Sequence, residues 1–346
     1  MKPYLLLIIS LFLIISCQKE SITIGLNVSE TFYVQNEGAS MRMLVEGNTK
    51  SNNFLLFVHG GPGTSSFFYN TDYISNHIEG KYACVYWDER NAGATQGNSN
   101  GENLNLNQMT EDLKKVIIVL KNRYGQDINV FLLGHSFGGL LTSSFMTTEN
   151  NQTMLKGWIF AAGSHNYPLN DSLTRLMLLD LGLQQFALNK NIDKWTPIIE
   201  YCNQHTGNFS VEESNQLNAY ASDAESYFDE VKKIDLLKII QENAVKDDWP
   251  LTSILVNQRF SSQADFNQDL ANTEFTSKLY KVTTPTLILF GKYDFICPSG
   301  LGDNLYNHIS TNEKKISISP ISGHNIFYQD ESFFCNEVNE FIEKYK

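Results

Sequence analysis

The stretch Gly134-His135-Ser136-Phe137-Gly138-Gly139 constrains this chain more than any other. It holds G-x-S-x-G between an apolar run at 130–133 and a helical run at 139–146, which reads as strand, sharp turn, helix. A turn that tight needs small residues and holds the serine backbone under strain. The Ser136 hydroxyl is then exposed, in front of a helix N-terminus whose dipole favours nearby negative charge. A serine hydroxyl is a weak nucleophile at neutral pH. It therefore requires a general base, and a further group to orient that base.

The rest of the chain supplies a sheet to hold such a turn. Short runs at 54–58, 82–87, 129–133, 158–162, 286–290 and 315–318 read as strands, and all but the last are apolar nearly throughout, as strands covered on both faces require. Helical patterns separate them. At 109–124, Leu113, Val116, Ile117 and Leu120 fall on one helix face, with Thr110 as the expected cap and Gly125 as the stop. A final helix is expected at about 331–345, and residues 22–45 read as a leading antiparallel hairpin. This alternation predicts an α/β fold with a mostly parallel sheet flanked by helices. Between 164 and 282 the alternation stops. That stretch is helical in pattern, rich in Asn, Gln, Asp and Glu, and too long for a loop. It is expected to be a helical cap inserted after the sixth strand, dividing a core made of 17–163 and 283–346.

In this architecture the partners follow the nucleophile in the order acid, then histidine. Asp294 follows the run at 286–290 in Gly291-Lys292-Tyr293-Asp294, and His324 follows the last run in Ser322-Gly323-His324-Asn325. Both fall at the C-terminal edge of the expected sheet, where open α/β sheets bind ligands. His59, His77 and His135 precede or adjoin the serine and do not fit the order. Ser136, Asp294 and His324 are thus the expected catalytic residues. His59-Gly60-Gly61-Pro62-Gly63 directly follows the run at 54–58. Its glycines allow backbone N–H groups to approach a substrate carbonyl oxygen. Gly61 is the first choice of donor and Gly60 the next, acting with the N–H of Phe137, and each such donor contributes about 10²–10³ in rate.

Taken together, His-Gly-Gly-Pro-Gly at 59–63, Trp87-Asp88-Glu89-Arg90-Asn91-Ala92-Gly93-Ala94-Thr95 and the serine turn resemble the α/β-hydrolase fold. More narrowly, they resemble its prolyl iminopeptidase group, whose second motif reads D-Q-R-G-x-G-x-S. Here Glu89, Asn91 and Thr95 replace the Gln, Gly and Ser of that motif, and the serine turn reads GHSFGG instead of GGSWGS. The likeness covers about 50–165 and 282–346. It implies a serine aminopeptidase or related hydrolase, working without metal or other cofactor on a short peptide or small molecule. Members hold the substrate ammonium with glutamates of the insertion. The run most similar to one of those sites, at 255–260, has Val256 in the glutamate's place. Glu225 and Glu230, together with Glu213, are the remaining candidates for substrate binding. An esterase, amidase or lactonase of the same fold is the alternative, and a non-catalytic surface lipoprotein is a further one.

The first residues form a separate unit. Lys2 precedes a run of twelve residues, 4–15, apolar except for Ser10, and Ser16-Cys17 follows. Twelve residues are too few for a spanning helix, which needs about 20. A charged start, a short apolar stretch and a small residue describe a secretory signal peptide, and the cysteine resembles a bacterial lipoprotein signal. Residues 1–16 are therefore expected to be removed and Cys17 to carry lipid, placing an exported protein at a membrane. Lys+Arg number 26 against 38 Asp+Glu, a net charge of −12 with no basic block, which disfavours nucleic-acid partners. Cys84, Cys202, Cys297 and Cys335 lie far apart without metal-ligand spacing, so buried thiols are expected and no metal site.

Overall fold

A computed structural model describes residues 24–95, 103–244 and 264–346. The signal segment, Cys17 and the run at 255–260 lie outside the described residues. The hairpin forms from β1 (Val28–Asn36) and β2 (Ala39–Gly47). Then come β3 (Asn53–Val58), β4 (Ala83–Trp87), α1 (Leu106–Tyr124), β5 (Asn129–His135), α2 (Phe137–Thr147) and β6 (Gly157–Ala161). The chain continues through α3 (Tyr167–Ala187), α4 (Ile192–Gln204), α5 (Val211–Glu225), α6 (Leu236–Ala244) and α7 (Ala264–Ala271). It returns to the sheet with β7 (Thr286–Gly291), α8 (Gly300–His308), β8 (Lys314–Ser319) and α9 (Glu331–Tyr345).

The eight strands lie in the order β1-β2-β4-β3-β5-β6-β7-β8, antiparallel in the first two pairings and parallel from β4 to β8. This is the α/β sheet the apolar runs predict, with the helical insertion after the sixth strand. Every residue of β3, β4, β6 and β7 is buried, because successive side chains enter opposite cores. Phe54, Leu56 and Val58 join the core under α1 and α2, while Leu55 and Phe57 join the one under α9. The insertion has a core of its own around Trp195, Ile198, Leu217 and Phe228, tied to the sheet domain through Tyr293 and Phe295.

One helix start differs from expectation. Helix α1 begins three residues before Met109, because Asn105 rather than Thr110 caps it: Gln108 N–H donates to Asn105 Oδ1 at 2.9 Å. Thr110 instead lies inside the helix, donating its hydroxyl to the Leu106 carbonyl at 2.8 Å. Cys84, Cys202, Cys297 and Cys335 are buried and unpaired. Among the described residues no helix is long and apolar enough to cross a membrane.

The topology locates the site. Strand β4 lies on one side of β3 and β5 on the other, so the winding reverses between β3 and β5, where open sheets leave a crevice. Val58 pairs with Gly134, which sets the end of β3 beside the serine turn. A Cβ on Gly138 would lie 2.2 Å from the Val58 carbonyl oxygen, so only glycine lets α2 start this close to the strand.

Candidate active site

Ser136 sits between β5 and α2 with φ 57° and ψ −122°, a conformation that side-chain-bearing residues avoid. Its side chain does not cap α2, which leaves the hydroxyl for other work. The two expected partners meet across the loops that follow β7 and β8. His324 Nδ1 lies 3.1 Å from both Asp294 oxygens, with Asp294 fully buried and His324 nearly so. Asp294 also accepts the Cys297 N–H at 2.7 Å, which fixes the carboxylate. Burial raises the Asp294 pKa, while His324 pulls the other way. Burial lowers that of the His324 imidazole, but the Asp294 charge, with Glu225 behind it, more than offsets this and leaves its pKa above the ordinary value.

Gly61, Ser136, Phe137 and His324 line one wall of a cavity of about 360 Å³. Asn170 and Asp171 of α3 and Ser214, Asn215 and Asn218 of α5 line the facing wall. Both the sheet loops and the insertion thus line the cavity, and among the described residues the insertion brings mostly amide and hydroxyl groups, with Val211, Leu270 and Ala271 beside them.

Two of the three expected oxyanion donors are open. Among the described residues, the N–H groups of Gly61 and Phe137 have no partner. Gly60 departs from expectation, because its N–H donates to the Tyr69 hydroxyl at 3.1 Å and is not free for substrate. Its lack of a side chain matters for another reason: a Cβ there would lie 2.8 Å from Ser136 Cβ and 3.3 Å from Oγ.

A buried chain of hydrogen bonds continues from Gly60. Tyr69 Oη lies 2.7 Å from His135 Nδ1, and His135 Nε2 lies 2.9 Å from the His324 carbonyl oxygen. A carbonyl only accepts, so Nε2 carries the proton and Nδ1 accepts from the tyrosine. Burial, with His324 adding to it, lowers the His135 pKa to about 3, which keeps the ring neutral as this chain requires. The oxyanion loop, the serine turn and the histidine loop are therefore joined through Tyr69 and His135.

The second motif is also structural. Asp88 Oδ1 accepts from the Ser65 hydroxyl and from the Ser66 N–H, while Oδ2 accepts the Ala94 N–H. Arg90 donates to both oxygens of Asp112 at 2.6 and 2.9 Å, a buried bidentate pair that ties this loop to α1.

The substrate-binding glutamates named from sequence do not line the cavity. Glu230 is exposed. Glu213 accepts the Ser210 N–H in a capping box at the start of α5. Glu225, the last residue of α5, is buried and accepts the His324 N–H at 2.8 Å. Asp171 does line it, as do the insertion's Ser214 and Asn218. Sequence reasoning missed all three and Tyr69 as well, since helical periodicity shows that a helix exists without showing what its faces meet.

The family model described as serine aminopeptidase, S33, matches residues 49–233, more than half of the sequence. The chain belongs to this family. It is 24% identical over 304 residues to a proline iminopeptidase of Saccharolobus solfataricus, covering 85% of this chain and 86% of that one. Solved structures show the same fold. The proline iminopeptidase of Mycobacterium smegmatis superposes with a TM-score of 0.65 at 14% identity, over 92% of this chain and 98% of that one. An esterase from Exiguobacterium antarcticum superposes with a TM-score of 0.58 at 17% identity, over 90% and 99%. The S33 member described here is an α/β-hydrolase enzyme. Its fold is common to peptidases and esterases, so the bond it cleaves has to be read from its own cavity.

Proposed function

We propose that this S33 hydrolase cleaves an amide through an acyl-enzyme on Ser136, acting as an aminopeptidase on small peptides. The observation that carries the reading is the pairing of His324 Nδ1 with both Asp294 oxygens beside the cavity that Ser136 lines. As Ser136 Oγ bonds to the substrate carbonyl carbon, its proton passes to His324 Nε2, and the carbonyl π pair becomes an oxyanion. The N–H groups of Gly61 and Phe137 face that oxygen. Collapse of the tetrahedral centre breaks the C–N bond, and His324 gives the proton to the leaving amine. Water then repeats the sequence: its proton goes to His324, its oxygen bonds the acyl carbon, and the Oγ–C bond breaks with return of the proton to Ser136. Asp294 holds the ring with Nδ1 protonated and stabilises its charged form.

The amide and hydroxyl lining supports a peptide over a lipid acyl chain, since such groups match peptide N–H and C=O groups. A fluorophosphonate probe should label the purified protein at Ser136, with no labelling of Ser136→Ala. Labelling that survives the substitution would overturn the reading. A panel of aminoacyl anilides and simple esters then decides between peptidase and esterase action.

We also propose that the protein is exported and lipid-anchored, with 1–16 removed and Cys17 acylated, as the sequence of that segment supports. Incorporation of an alkyne-tagged fatty acid in bacteria, lost in Cys17→Ser, tests it.

A further inference from the structure

Ser164 and Asn170 line the active-site cavity, and each holds a buried polar atom, Ser164 Oγ and Asn170 Oδ1, that has no hydrogen-bond partner among the described residues. Other buried side-chain atoms lack a partner too, but these are the two in the cavity lining, where a bound molecule reaches them. Ser164 is 4% exposed and lies just past the end of β6, where its N–H donates to the Ser136 carbonyl at 3.3 Å. That bond sets the second serine beside the nucleophile and leaves its hydroxyl unused. Asn170, the fourth residue of α3, donates from Nδ2 to the Ile296 carbonyl at 2.9 Å and to the Thr174 hydroxyl at 3.4 Å. A carbonyl only accepts, so this amide is fixed in orientation and Oδ1 stays an acceptor in want of a donor. A desolvated polar atom without a partner is costly until a ligand completes it. Val211, Leu270 and Ala271 in the same lining accommodate methylene groups but satisfy neither atom.

We infer that Ser164 and Asn170 form a subsite for a neutral carboxamide side chain, that of asparagine or glutamine, on the residue whose carbonyl Ser136 attacks. This rests on the aminopeptidase reading above and names the side chain such an enzyme would favour. A carboxamide carries both functions that the pair lacks: its NH₂ donates to Asn170 Oδ1, and its oxygen accepts from the Ser164 hydroxyl. A carboxylate of the same shape sets oxygen against Asn170 Oδ1 with no proton between them. An isobutyl group leaves both atoms desolvated and unpaired. A site built to hydrogen-bond a substrate group rejects an analogue lacking it far more strongly than an apolar pocket rejects a change of size.

Asparaginyl-, aspartyl- and leucyl-p-nitroanilide are near-isosteric, so the ratios of their kcat/KM values test the subsite without a change of shape. Wild type should prefer the asparaginyl substrate over each of the others by about tenfold or more. Ser164→Ala should cut the preference over leucyl by about fivefold, the scale of one neutral hydrogen bond, and should melt no lower than wild type, because the hydroxyl removed has no partner in the free enzyme. Asn170→Ala should abolish the preference over aspartyl. Wild type that hydrolyses none of the three would overturn the aminopeptidase reading and the subsite with it. Hydrolysis of all three without a preference for asparaginyl, or a preference that both variants keep, would overturn the subsite alone. A Ser164→Ala melting temperature well below that of wild type would show that the hydroxyl is bonded within the folded chain, and would overturn its assignment to substrate.

Discussion

The Glu225 carboxylate accepts the backbone N–H of His324 at 2.8 Å, so the last residue of α5 holds the loop that carries the expected general base. Glu225 is one of three ionisable groups clustered here, with Asp294 and His324. Its negative charge is among the causes that hold the His324 pKa above the ordinary value. Glu225→Gln keeps an acceptor for the His324 N–H and removes the charge. The imidazole then loses its proton more readily, and the acidic limb of the kcat/KM profile should move to lower pH. A limb that stays in place would show that Glu225 does not act on His324 electrostatically.

The same residue makes folding sensitive to pH. Burial, with the Asp294 charge adding to it, raises the Glu225 pKa from 4.5 to about 7. A folded-state value above the unfolded one contributes stability that is fully present below pH 4.5 and is lost as pH rises through 7. The window corresponds to up to about 3 kcal/mol. Urea denaturation of wild type and Glu225→Gln from pH 4 to 8 should therefore show wild type losing stability relative to the variant as pH increases. Parallel curves would exclude the effect.

Ser136 trades stability for exposure of its hydroxyl. With φ 57° and ψ −122°, its Cβ is strained in a way glycine would not be. Strain of this kind costs about 1–3 kcal/mol, against the roughly 0.5–1 kcal/mol of chain entropy that glycine adds to the unfolded state. Ser136→Gly should accordingly be more stable than Ser136→Ala by about 1 kcal/mol in chemical denaturation, while both lack hydrolytic activity. Alanine being the more stable of the two would mean the turn is relaxed.

The sheet and the serine, acid and histidine positions were legible because local sequence dictates them. Strands buried on both faces must be apolar throughout, and a turn with Gly138 against the Val58 carbonyl oxygen tolerates only glycine. The start of α1 was not, because Asn105 and Thr110 are both competent caps and only the hydrogen bond formed distinguishes them. The carboxylates of the insertion were least legible. Asp171, Glu225 and Glu230 all sit in or just after acidic, helical-looking sequence. Tertiary docking turns the first toward the cavity, the second toward His324 and the third toward solvent. Tyr69 belongs to the same class, since its hydroxyl finds Gly60 and His135 only once β3 and β5 are paired.

Tyr69 offers the sharpest test of the chain linking the three loops. Its ring is buried and stacks on Phe327 with centroids 4.6 Å apart, and Tyr69→Phe preserves that packing. What disappears is one oxygen that accepts the Gly60 N–H and donates to His135 Nδ1. Both partners are buried, and each group left unsatisfied costs about 1–3 kcal/mol. The variant should lose roughly 2–4 kcal/mol in urea denaturation, well beyond an ordinary surface substitution. Activity should fall as well, because Gly60 no longer fixes the neighbouring Gly61 amide and His135 no longer receives the bond that sets its tautomer. A loss of under about 1 kcal/mol would instead mean that water takes the place of the hydroxyl and keeps the chain intact.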